Sequence, residues 1–173
     1  MINLVEIKTT KRSVVDIESE LLIIGFFQNK KLNSLHKNLD ATLEGKLSHA
    51  INMDQYSGKT DSKVMIYGND NTKRILLIGL GEQKEITTDK IRSVASHIVR
   101  LADKMNIESF TLDGESFGLR KNIMAQAFSE GLILGSYQFN DYKTKENNSV
   151  YIKTVTICGD INKKFLEKGM ALG

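Results

Sequence analysis

The chain has 173 residues, 40% hydrophobic and 26% charged, an ordinary globular composition with enough length for one domain with a core, which excludes disorder. Its formal charge of +3 is the small difference between 24 basic and 21 acidic side chains. The basic residues occur only as scattered pairs such as Lys11-Arg12, Lys30-Lys31 and Lys163-Lys164, so the concentrated stripe expected for a nucleic-acid or anionic-membrane partner is missing.

In chain order, Ile2 to Ile7 and Leu21 to Phe27 predict strands. The second is a continuous apolar run of the kind buried on both faces of a sheet, and it is far too short to cross a membrane. Glu6 and Lys8 fall where a signal peptide has its apolar region, so a cytoplasmic setting is expected. The stretch between the two strands is polar and turn-like. From Leu32, the stripe Leu35, Leu39, Leu43, Leu47 and Ile51 predicts one amphipathic helix, weakened at Gly45.

Lys63 to Tyr67 and Arg74 to Leu80 predict a hairpin around Gly68-Asn69-Asp70-Asn71, residues that tolerate positive φ or bond their own backbone. Thr87 or Thr88 can then cap a helix, with Asp89 suited to its positive N-terminal end. That helix would bury Ile91, Val94, Ala95, Ile98, Leu101, Ala102 and Met105 on one face. A strand from Ile107 to Leu112, a helix from Leu119 to Tyr137, a strand from Ser149 to Cys158 and an amphipathic segment from Ile161 through Phe165 to Leu172 complete the chain. Strands interleaved with helices predict an α/β three-layer sandwich with a mixed, mostly parallel sheet.

Candidate chemistry is sparse. His36, His49 and His97 fall on separate predicted helices with no metal-ligand spacing, and read as solvated or packed side chains. Gly79-Leu80-Gly81 follows a strand, but Lys84 occupies the third glycine position of a dinucleotide fingerprint, so a tight turn is expected. Ser116 and Ser136 lack a nucleophile-elbow context, and Asp113, Glu115 and Asp141 read as unpaired carboxylates near element ends. The lone Cys158 has no disulfide partner and reads as a small buried hydrophobe, and Asn147-Asn148-Ser149 reads as a polar loop. No catalytic, cofactor-binding or metal-binding residue is assigned. Gly131 and Gly135 are more informative: two glycines one turn apart within a helix cost about 1 kcal/mol each relative to alanine, so a close neighbour must offset them.

The run from Ala127 to Lys143, AFSEGLILGSYQFNDYK, resembles the "A-E-G-L-L-L-G-x-Y-x-F-x-x-Y-K" signature of leucyl aminopeptidases, and Lys73 to Gly81, KRILLIGLG, resembles that family's strand and turn. Ser129 stands for the usual alanine, Gln138 for a common basic residue and Asn140 for a frequent aspartate. The resemblance implies a macro-domain-like fold over residues 1–160 and, over 161–173, the start of a connection to an absent C-terminal catalytic domain. In that family two divalent metal ions, zinc or manganese, and the catalytic residues lie in the C-terminal domain, whose "N-T-D-A-E-G-R-L" signature has no match here. The parent would be a homohexameric aminopeptidase that meets peptide only through its catalytic domain, and this segment alone would be inactive. A different class is also open: a stand-alone macro-like module binding ADP-ribose or another nucleotide.

Overall fold

The computed structural model describes residues 5–140 and 152–173. Six strands make one sheet: β1 (Glu6–Thr10), β2 (Leu22–Phe27), β3 (Lys63–Tyr67), β4 (Arg74–Gly81), β5 (Ser109–Asp113) and β6 (Thr154–Cys158), in the spatial order β1-β6-β5-β2-β4-β3. Every neighbouring pair is parallel except the β3–β4 hairpin, in which Tyr67 faces Arg74 and Lys63 faces Ile78. The α/β class and the mixed, mostly parallel sheet therefore hold.

Strand alternation sends side chains to two cores. On one face Ile23, Leu76, Ile78, Phe110, Leu112, Val155 and Ile157 meet the apolar sides of α3 (Thr88–Lys104), α4 (Asn122–Asn140) and α5 (Lys163–Leu172). On the other, Leu22, Ile24, Val64, Ile66, Ile75 and Leu77 meet α1 (Ser34–Thr42) and α2 (Lys46–Met53). Each fully buried Leu, Ile or Val contributes about 1.5–3 kcal/mol, so both faces of the central strands β2 and β4 are strongly apolar.

Thr87 is the N-cap of α3, its hydroxyl accepting from the Lys90 amide. The expected stripe is largely buried, with Ile91, Ala95, Ile98 and Ala102 inaccessible and Val94, Leu101 and Met105 partly covered. Leu166 carries α5 into the same core.

Two expectations are corrected. Among the described residues the first strand is Glu6–Thr10, running past the expected end at Ile7. It is an edge strand, and pairing with β6, from Glu6 opposite Thr154 to Thr10 opposite Cys158, sets its limits more than its own hydrophobicity does. The single helix from Leu32 is two helices, because Glu44 and Gly45 adopt left-handed φ of 54° and 78°. The leucine stripe nevertheless continues across the break, with Leu39, Leu43 and Leu47 all buried. The polar stretch between the first two strands is turn-like as expected, with a short 3-10 turn, Val14–Asp16, whose Val14 is buried. Residues 2–4 and 149–151 of the expected strands, like Asp141 and the polar loop 147–149, lie outside the described residues.

Candidate functional site

Open α/β sheets receive ligands outside the carboxyl ends of their strands, where successive connections leave towards opposite faces. Here that point lies between the adjacent strands β2 and β5: the chain leaves β2 for α1 on one face and β5 for α4 on the other. Asp113 ends β5 at this place and is 2% exposed. His36, in the first turns of α1, is 5% exposed and puts Nε2 2.8 Å from Asp113 Oδ2. The expectations of a partnerless histidine and a solvated carboxylate are therefore both wrong. The two residues are 77 positions apart, and no local spacing could have joined them.

Around the pair the chain closes on itself. The Ser116 hydroxyl accepts from the Gly25 amide at 2.8 Å and donates to the Asp113 carbonyl oxygen at 2.7 Å, tying β2 to the turn after β5. The Gly114 amide donates to the Cys158 carbonyl oxygen, and the Asp160 amide to Glu115 Oε1. Cys158 is buried, and burial together with the nearby Asp113 charge pushes its thiol up to about 11. At neutral pH it is a protonated, inert hydrophobe, as its sequence context suggested. Ser116 is thus a structural bridge, and Ser136 donates to the Ile133 carbonyl oxygen of its own helix.

Gly79 and Gly81 lie at the end of β4, where the segment 58–62 crosses them. The Gly79 amide donates to the Ser62 carbonyl oxygen and the Gly81 amide to that of Gly58. A side chain at Gly79 would strike the Lys59 carbonyl oxygen, so these glycines admit the protein's own backbone where the sequence suggested a tight turn.

A second polar cluster lies on α3, beside a cavity of about 390 Å³ between α3, α4 and the sheet, lined in part by Lys63, Ile78, Arg92, Ser96, His97 and Leu134. Arg92 bonds Glu130 at 2.7–2.8 Å and Asp89 at 2.6 Å. Burial works to raise the Glu130 carboxyl, but hydrogen bonds from Gln126 and Arg92 and the guanidinium charge outweigh it and hold the group below the usual carboxylate range. The Arg92 guanidinium is correspondingly pushed up, chiefly by its bond to Glu130. His97 is held below its ordinary range by partial burial and by Lys63, Arg100 and Lys104, against the opposing charge of Asp61. His49 is exposed on α2.

The glycine pair performs as its spacing predicted. A Cβ at Gly131 would strike the Arg92 carbonyl oxygen, and one at Gly135 would come within 2.8 Å of Ser96 Cα, so α3 and α4 meet backbone to backbone. The same approach brings Arg92 to Glu130, one residue before Gly131.

These groups do not fit a two-metal centre. Among the described residues no three His, Cys, Asp or Glu side chains converge. His36 and Asp113 bond each other, and Cys158 keeps its proton where metal ligation needs a thiolate.

A mixed α/β sheet whose carboxyl edge is closed by its own side chains defines a class before a family. The macro domain of ganglioside induced differentiation associated protein 2 superimposes over 94% of this chain and 81% of its own with a TM-score of 0.67, and a Trypanosoma brucei macrodomain over 97% and 67% with 0.65. At 10% and 12% identity these define the fold, a macro-domain-like α/β domain. The family is given by sequence: residues 23–146 match the model of the cytosol aminopeptidase family, N-terminal domain, and the chain belongs to that family. A probable cytosol aminopeptidase of Alkaliphilus oremlandii is 30% identical over 149 residues, covering 83% of this chain and 30% of the relative. A tomato leucine aminopeptidase mutant matches 95% of this chain and 34% of its own at 25% identity, with a TM-score of 0.75. The chain thus spans about 30% of the length of the curated relatives it matches.

Proposed function

We propose that this chain is the non-catalytic N-terminal domain of a metal-dependent leucyl aminopeptidase of the cytoplasm, an enzyme that removes N-terminal residues from peptides. The observation that carries this reading is the match of residues 23–146 to the family's N-terminal domain, with alignments that cover about 30% of the relatives' length. The domain's work is structural. It shapes subunit contacts in a homohexamer and access to active sites formed by its own C-terminal catalytic domain. There, two divalent ions, zinc or manganese, activate a water and polarise the scissile carbonyl. Residues 161–173, which include α5, begin the connection to that domain.

Hydrolysis of leucyl-p-nitroanilide with added Mn²⁺ or Zn²⁺ tests this reading, on the 173-residue chain and on the product of the uninterrupted reading frame. Turnover by the longer product alone is the expected result. Turnover by the chain itself would overturn the assignment.

The macro-domain shape favours a second reading, a module that binds ADP-ribose or another nucleotide. The charge of the carboxyl edge weighs against it, since Asp113, Glu115 and Asp160 lie near one another there and would repel a phosphate. Calorimetric titration with ADP-ribose separates the two: saturable binding would replace the first reading with the second.

A further inference from the structure

α5 lies along α4 in a fixed register. A Cβ at Gly169 would strike the Gln126 carbonyl oxygen and the Ser129 hydroxyl, and one at Gly173 would come within 3.0 Å of the Glu130 carbonyl oxygen and 2.8 Å of Ile133 Cβ. Four residues along α5 thus answer to four along α4, so the helices run parallel and meet along one row of each.

The next step in this register falls on Leu134 and Tyr137, four residues beyond Glu130 and Ile133. Both are uncovered, at 41% and 37% exposure, although Ile133 one turn earlier on the seam is buried. Leu172, at 64%, lies open at the same end of the helix pair. α5 carries no stop signal there. The Gly173 amide still donates to the Gly169 carbonyl oxygen at 3.1 Å, and Gly173 does not take the left-handed φ with which a glycine closes a helix. A packed row that runs out while one helix still presents apolar side chains beyond it is completed by extending the other helix.

We propose that Leu134 and Tyr137 are the seat of the polypeptide that follows Gly173, which continues α5 by at least one turn, about four residues, laid on α4 in the same register. The inference rests on the reading above, in which a catalytic domain follows this one. The chain matches the family's N-terminal domain and spans about 30% of its relatives' length, so that reading supplies the occupant. The connection then leaves as a helix held against α4 and not as a loose tether. Leu134 and Tyr137 thereby fix the direction in which the catalytic domain is carried.

The test is amide hydrogen exchange, read by mass spectrometry, on the product of the uninterrupted reading frame, beside its leucyl-p-nitroanilide turnover. The first turn after Gly173 is expected to exchange as slowly as the last turn of α5. Leu134→Gln combined with Tyr137→Gln keeps good helix formers in α4 and is expected to speed exchange of that turn at least about tenfold, with α3 and the sheet unchanged. A longer, active product in which the turn exchanges like open chain overturns the seat and leaves the functional reading standing, whereas a reading frame that stops near Gly173 overturns both. Slow exchange that the double variant leaves unaltered also overturns the seat, as does slow exchange that is lost when the oligomer is diluted, which would assign the contact to a second copy. If the double variant does not fold, exchange in the unaltered product still decides.

Discussion

On one face of the sheet, α4 presses its backbone onto α3 at Gly131 and Gly135 and takes α5 against its flank, where a side chain at Gly169 would strike Ser129. On the other face, α1 and α2 meet the strands side chain to side chain, through the buried Leu39, Leu43 and Leu47, the partly buried Leu35, Ala50 and Ile51, and the His36–Asp113 bond. The first layer is a close-packed joint in which almost no atom can be added. The second is a row of separate anchors. A layer of the first kind resists change in proportion to how tightly it excludes volume, whereas one of the second kind can be loosened one anchor at a time.

The largest expected effect breaks the tight joint. Gly131→Val drives a branched Cβ into the Arg92 carbonyl oxygen, and should cost about 3 kcal/mol in urea unfolding with the whole domain lost in one transition. A cost under about 1 kcal/mol would mean that α3 and α4 can part without penalty, and the contrast between layers would fail. Next, Leu39→Ala removes an inaccessible anchor of α1 and should cost about 2–3 kcal/mol. It should accelerate amide exchange in α1 and α2 more than in α3.

Arg92→Ala sharpens the comparison from the rim of the tight joint. Its side chain is 33% exposed and Glu130 12%, so solvent screening limits the loss to about 1 kcal/mol. The same variant carries a pH signature. Because the folded Glu130 pKa is depressed, its stabilisation is complete above the ordinary value of 4.5 and fades as pH falls through the lower folded value. Thermal melts between pH 6 and pH 3 should therefore show a smaller acid loss in Arg92→Ala than in the unaltered chain.

The last effect appears only in alkali, at the end of β6. Burial raises the Cys158 thiol, so the unfolded chain ionises first and stability declines as pH rises from the ordinary 9.0 towards about 11. Cys158→Ala should flatten that alkaline decline, as measured by melts between pH 8 and pH 11. An unchanged decline would assign it to other groups.

How legible these features were depends on the distance over which each is encoded. The α3 cap and stripe, the β3–β4 hairpin and the glycine spacing of α4 were readable because each is fixed by neighbours within a turn or two. Gly131 and Gly135 even announced a close partner, since their helix-propensity cost demands compensation. The His36–Asp113 and Arg92–Glu130 pairs were not readable, although every member was visible as a titratable residue. The break at Glu44 and Gly45 was half legible: the glycine was seen, but the leucine stripe continued across it.

The element order, the α/β class, the apolar central strands, the demand for a close α4 contact and the family resemblance are all written into the order of the residues. All of these are carried by short-range periodicity, capping and contiguous motifs. Tertiary structure alone decided the strand order, the limits of the edge strand β1, the burial of Asp113 against His36 and which helical layer is tightly joined. Those depend on which distant segments lie side by side, and a titratable group's partner is set by strand register and helix placement, which no local spacing specifies.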